Sequence, residues 1–212
     1  MISKRQILSN VGSTQVRTDP VTSRQIVDSF GEQRSASVLS VLEFKNGFYA
    51  FEGALHVFSD LGTKDEYGII EWNSDDLWRR AYAGMAEDCV FFAEDIFGVQ
   101  FCVRDGGISS FEPETGRFEH MARTVEEWAE KILEDYELWT GHRVASEWQQ
   151  LHGPLPMGLR LVPKTPFVLG GDYAIDNMHA LEAAKAMRFR ASIAVQIRDL
   201  PDGTPVELRV VD

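Results

Sequence analysis

Apolar positions recur in every stretch of about ten residues, and their spacing changes character along the chain. Ile26, Val27 and Phe30 form a stripe behind Pro20, Thr22 and Ser23, and Gly31 follows, which predicts a helix over 20–31. Residues 38–44 are apolar until Lys45-Asn46-Gly47 breaks the run, and the aromatic-rich segments 48–51 and 54–58 read as short strands. Ile69, Ile70 and Trp72 make another apolar run. Asn73 or Ser74 then caps a predicted helix to about Gly84, with Asp75 and Asp76 in its first turn, where the helix dipole favours negative charge. Segments 89–93, 99–103, 108–111 and 117–121 alternate with short turns, a pattern that predicts antiparallel strands.

The clearest helix starts at Thr124, where Thr124 and Glu127 have capping-box spacing and Val125, Trp128, Ala129, Ile132, Leu133 and Tyr136 recur at helical intervals. Gly141 ends it, and a second helix is predicted over 144–151, stopped by Gly153 and Pro154. Pro154, Pro156, Pro163 and Pro166 then mark a loop-rich crossing. A short helix over 178–187 follows, and strands 191–197 and 206–211 flank a turn at 200–203. Helices and strands interleave without a βαβ beat, so the expected class is α+β: a mixed, largely antiparallel sheet flanked by helices, with a C-terminal extension ending in a β-hairpin. The expected organisation is a domain over 1–140 and an extension over 141–212 packed on that domain.

Charge sharpens this picture. The 212 residues carry a net charge of −12, and residues 60–137 alone hold 20 acidic and 7 basic residues, a net −13. Such a field repels nucleic acid and anionic lipid and draws basic partners in. No apolar run has signal-peptide or membrane-span length, and Cys89 and Cys102 do not form a CxxC pair. A cytoplasmic protein with two reduced thiols is expected, with no nucleic-acid or membrane partner.

Motifs that carry chemistry are missing. His56, His120, His142, His152 and His179 form no HxxxH or HExxH pair, so no metal site is expected. No phosphate-cradling glycine loop and no GxSxG elbow occurs, so neither a cofactor nor a catalytic residue is expected. The adjacent carboxylates Asp65-Glu66, Asp75-Asp76, Glu94-Asp95 and Glu126-Glu127 point apart on a strand or helix and suit helix starts and loop tips better than acid–base work. Trp72 and Trp78 are different, because they stand among Glu71, Asp75 and Asp76. Aromatics ringed by carboxylates suit a binder of basic protein surfaces, although both could equally be core.

Several segments resemble the SUKH (Smi/Knr-like) superfamily. Leu42-Glu43-Phe44-Lys45-Asn46-Gly47 with the aromatics that follow is similar to its early "NG" signature. Residues 91–101 resemble its central pattern of an apolar pair, Ala, a turn with Gly and a further strand, and residues 107–108 and 121–128 its closing strand and helix. The resemblance covers roughly residues 20–140. It departs where a Leu-Pro pair is replaced by Val38-Leu39, and where Val99 replaces the acidic residue that often follows the central Gly.

The resemblance implies an α+β fold and a non-enzymatic role: an immunity protein that binds a cognate secreted antibacterial toxin, a nuclease or another basic toxin domain, and blocks its active site. Systems of this kind deliver toxins by type VI secretion or contact-dependent inhibition. The expected contact patch is Asp60, Asp65, Glu66, Glu71, Trp72, Asp75, Asp76 and Trp78, with Glu94 and Asp95 as a second choice. The alternatives are a regulatory scaffold for a host protein, and an enzyme with an unfamiliar site around Lys164, Asp172, Tyr173 and Asp176.

Overall fold

Short turns between apolar runs force sequence-adjacent strands to pair antiparallel. A computed structural model, which describes residues 2–13, 16–201, 203 and 204, shows the result as a six-stranded meander. Its strands are β1 (Phe48–Ala50), β2 (Leu55–Val57), β3 (Val90–Asp95), β4 (Gln100–Arg104), β5 (Gly107–Glu112) and β6 (Arg117–Ala122), in sequence order. Helices α1 (Lys4–Val11), α2 (Ser23–Phe30) and α3 (Glu32–Leu42) precede the sheet, and α4 (Ile69–Trp72) interrupts it. Helices α5 (Val125–Glu134), α6 (Tyr136–Thr140) and α7 (His142–His152) follow. A second, two-stranded antiparallel sheet pairs β7 (Leu159–Pro163) with β8 (Met178–Glu182), and α8 (Ala183–Ile197) runs on from it. The fold is α+β.

Every residue of β3 is buried, which requires cover on both faces of the sheet. On one face Phe92 and Phe101 meet Trp128 of α5 edge to face, and α1 and α3 pack beside α5. On the other, Phe91, Phe111 and Phe118 pack with Trp78 and Tyr82, and α8 contributes Ala183, Ala184, Met187, Ala191 and Ala194 to the same core. Burying aromatic rings of this size stabilises by roughly 2–3 kcal/mol each before the entropy of ordering them is set against it.

The Asn46-Gly47 break has a steric reason. Gly47 sits at φ +72°, and a Cβ there would fall 2.6 Å from the backbone nitrogen of Ser59. Asn46 accepts from the backbone N–H of Asp60 at 2.9 Å and donates to its carboxylate at 2.9 Å, clamping the turn before β1 to the segment after β2.

Four expected elements differ. The Thr124 helix ends at Glu134 and not at Gly141, because the Asp135 side chain caps a separate α6. The predicted helix over 73–84 is replaced by turns and a single 3-10 turn at Arg79–Tyr82. Asn73 is the cause: its side chain donates to the carbonyls of Ile69 and Phe91 and accepts from Phe91 N–H, each at 2.8 Å, so it ends α4 and leaves no cap for a new helix. Asp75 and Asp76 therefore lie in a turn. Residues 178–182 form strand β8, held in register by β7, and the helix begins only where Glu182 caps the N–H groups of Ala184 and Lys185. Residues 191–197 continue α8, because its stripe of small residues faces the core. The paired strands of the extension are thus β7 and β8; the expected partner strand over 206–211 lies outside the described residues.

The Thr124 cap forms as expected, accepting from Glu127 N–H at 3.2 Å, although the Glu127 carboxylate reaches back one residue further, to Arg123 N–H at 3.0 Å. Among the described residues, no helix is long and apolar enough to cross a membrane, and no group of three or more His, Cys, Asp or Glu is placed to hold a metal ion.

Candidate functional site

The sheet register builds the site. Tyr49 stands opposite His56, His56 opposite Glu94, and Glu94 opposite Gln100, so four polar side chains line up across β1 to β4 on one face. Directly opposite residues are the closest neighbours a sheet offers, which makes the row a connected unit. Tyr49 and His56 stack with ring centroids 4.2 Å apart. Gln100 donates to Glu94 Oε2 at 3.0 Å and accepts from the indole of Trp72 at 2.7 Å.

Two further segments close over this row. Arg160 of β7 donates through Nε to Glu94 Oε1 at 2.8 Å, and both side chains are 1% exposed. From the loop between β2 and α4, the Glu66 carboxylate accepts from Tyr49 OH at 2.5 Å and lies 3.4 Å from His56 Nε2. His56 Nδ1 is 3.3 Å from Glu94 Oε1. Burial alone would raise the Glu94 pKa, but the Arg160 guanidinium, with His56 and Gln100, outweighs it and holds the carboxyl at about 2. For His56 burial prevails over its two carboxylate neighbours and lowers the pKa, so the ring is held neutral. Burial pushes the Tyr49 hydroxyl well up.

The row forms the floor of two clefts. One, of about 650 Å³, is lined by His56, Glu94, Trp72, Glu66, Asp65, Glu71 and Asp76 among others. Its lining holds six carboxylates, with Glu182 the sixth, against one lysine, Lys64. The other, of about 940 Å³, lies across Glu66 and is lined by Tyr49, Arg160, Glu52, Gln149 and Leu155 among others. Three polar atoms at the floor have no hydrogen-bond partner: His56 Nε2, Glu66 Oε1 and Arg160 Nη2. Buried polar groups left unpaired are costly, so these three atoms mark hydrogen-bonding capacity that the network itself does not use.

The structure redistributes the expected contact patch. Asp65, Glu71, Asp75 and Asp76 are exposed, and all but Asp75 line the acidic cleft. Glu66, Trp72 and Glu94 line it from below but are buried. Three residues leave the patch. Trp78, 1% exposed, sits in the aromatic core against Tyr82 and Phe91. Asp60, 0% exposed, accepts from Thr22 N–H and hydroxyl at 2.7 and 2.6 Å and pairs with Arg17 at 3.3 Å, a structural clamp. Asp95 is buried at the β3–β4 turn, accepting from the backbone N–H groups of Phe97 and Val99 at 2.9 and 2.8 Å. The surface reading also fails for Trp72, because its apolar ring packs against Phe58 and Trp78 and its indole N–H is used by Gln100.

Of the alternative enzyme residues, Lys164, Asp172, Tyr173 and Asp176 are all exposed. Lys164 donates to the Asp176 carbonyl at 2.7 Å, and Tyr173 lines a separate cleft.

Tyr49, His56, Gln100 and Arg160 were missed in the sequence. Their signal is a polar residue inside an apolar strand: His56 between Leu55 and Val57, Gln100 between Val99 and Phe101, Arg160 between Leu159 and Leu161. A polar residue enclosed in this way must find a partner, which marks it as a member of a buried network.

No family model matches the chain, and neither does any curated protein. The chain is similar in fold to the crystal structure of Atu4351 from Agrobacterium tumefaciens, with a TM-score of 0.58 at 12% identity, covering 88% of this chain and 87% of that one.

Proposed function

We propose that this chain is a cytoplasmic immunity protein that binds a cognate secreted antibacterial toxin and blocks its active site, using the acidic cleft to receive basic side chains of the toxin. The observation that carries this reading is the cleft itself: six carboxylates against one lysine, three of the carboxylates exposed at its mouth, and an unpaired buried carboxylate oxygen on Glu66 in its floor. A lysine or arginine entering there meets both long-range attraction and an acceptor that lacks a partner. The resemblance of residues 20–140 to SUKH immunity proteins supports the same reading. So does the net −13 of residues 60–137, because a toxin that cleaves nucleic acid has a phosphate-attracting site which an acidic surface can occupy.

The test is a pull-down of the tagged protein with the product of the neighbouring gene, washed at low and high salt, alongside an assay of that product's toxicity. A stoichiometric complex that inhibits the toxin is expected. In the triple variant Asp65→Asn, Glu71→Gln, Asp76→Asn, association is expected to slow about tenfold and to lose most of its salt dependence. Unchanged binding by that variant rejects the cleft as the contact. Recovery of host proteins in place of the neighbouring product rejects the immunity reading in favour of a regulatory scaffold.

A further inference from the structure

A second buried arginine stands midway along α8, about two turns from the end that meets the acidic cleft. Arg190 is 2% exposed, and its Nη1 donates to the carbonyl of Phe97. Its Nε and Nη2 have no partner. These two nitrogens form one edge of the guanidinium fork, the edge whose two parallel N–H groups match the two oxygens of a carboxylate. The close approach to the β3–β4 turn depends on Gly98, at φ +78°, where a Cβ would come within 3.0 Å of Nη2. Among the described residues Arg190 forms no direct ion pair, although Asp95 and Glu112 stand near enough to feel its charge. One oxygen of each accepts from backbone instead: Asp95 Oδ1 from Phe97 and Val99, Glu112 Oε1 from Glu114 N–H at 3.2 Å.

Arg190, Asp95 and Glu112 all line a cleft of about 650 Å³ whose apolar wall is aromatic. Phe167 and Tyr173 stack at 3.9 Å, each meets Phe97 edge to face, and Trp139 also lines the cleft. Tyr173 is 56% exposed, so the cleft opens to solvent at this wall. The cleft therefore combines an unpaired fork edge, an aromatic surface and charges of both signs, Asp95, Glu112, Asp135 and Glu137 against Arg190 and Arg143.

We propose that this cleft binds an α-amino acid with an apolar or aromatic side chain, its carboxylate on the Nε/Nη2 edge of Arg190, its ammonium beside Asp95 and Glu112, and its side chain against Phe97, Phe167 and Tyr173. A zwitterion answers both halves of the site at once. A simple carboxylate would face Asp95 and Glu112, and a simple amine would face Arg190. The site is independent of the toxin-binding cleft.

Titration calorimetry of the full chain with L-phenylalanine, 3-phenylpropionate and phenethylamine tests this, with amide chemical shifts of Gly98, Val99 and Gly141 to locate the ligand. L-Phenylalanine is expected to bind at one site and to move those amides. Each half-molecule is expected to bind at least about tenfold more weakly, the scale of one charge-assisted contact. Arg190→Gln should abolish binding. Because Arg190 is buried and its replacement could disturb the fold, the exposed Tyr173→Ala provides the second arm, and it should weaken binding several-fold in a folded protein. Absence of binding by L-phenylalanine, equal binding of either half-molecule, or unchanged affinity in Tyr173→Ala would each overturn the proposal.

Discussion

Glu94 and Asp95 are consecutive residues at the end of β3, both buried, and each lies near a buried arginine supplied by the last quarter of the chain. Burial raises the pKa of both, yet they end on opposite sides of the ordinary carboxylate value. Glu94 touches Arg160 at 2.8 Å, accepts from Gln100 and is held at about 2. Asp95 accepts two backbone N–H bonds, but it has no ion pair with Arg190 and Glu112 adds a like charge nearby, so it is pushed well up. Depth therefore does not set the sign of the shift. Direct contact with a cation does, because Coulomb energy at hydrogen-bond distance in a dry interior can exceed the desolvation cost, whereas a more distant charge cannot.

The largest expected effect follows from removing the two arginines in turn. Arg160→Met leaves Glu94 buried without its partner and should cost about 3–5 kcal/mol. Arg190→Met removes a charge that has no direct carboxylate contact and should cost only about 1–2 kcal/mol. Urea unfolding of both variants decides the matter, and equal losses would erase the distinction between the clusters.

Next comes pH. The folded pKa of Glu94 is depressed, so its stabilisation is present above the unfolded value and is lost as pH falls from about 4.5 towards 2, by at most about 3 kcal/mol. Glu94→Gln should flatten that part of the stability profile. Asp95 and Glu112 have raised folded values, so their contribution is present at low pH and is lost as pH rises through those values. Asp95→Asn with Glu112→Gln should therefore leave stability at neutral pH unchanged or higher, relative to wild type, than it is at pH 4. A parallel loss of stability at both pH values would refute the assignment.

Smaller effects sharpen the boundary of the first cluster. Trp72→Phe deletes the indole hydrogen bond to Gln100 and should cost about 1 kcal/mol in thermal or urea unfolding while leaving the Arg190 cleft unaffected. The exposed Asp65→Asn and Asp76→Asn should change stability by less than about 0.5 kcal/mol, which separates their effect on partner binding from any effect on folding.

Much of the chain between 48 and 134 was legible because its signals are local. Strand segments between 48 and 122 alternate with turn residues, and the Thr124 helix carries its cap and stripe within one short window. The failures were equally local in origin. Asn73 looks like a helix cap until its side chain is seen bonded to Phe91, eighteen positions away. Ile193, Val195 and Ile197 suggest a strand, but the alanines between and before them form a helical stripe that only a core can select.

The candidate site was read at its rim and missed at its floor. The acidic excess identified Asp65, Glu71 and Asp76, since charge is countable from sequence. Trp78 and Asp60 were misplaced because nothing in a linear segment says which aromatic or carboxylate will be buried.

The sequence by itself determined the α+β class, the antiparallel order of the central strands and the concentration of negative charge, because hydrophobic period, turn residues and charge are properties of neighbouring positions. The tertiary structure alone decided which charges meet. Arg160 reaches Glu94 across 66 positions and Arg190 reaches Phe97 across 93. Pairings over such separations depend on strand register and helix packing, which no short window of sequence contains.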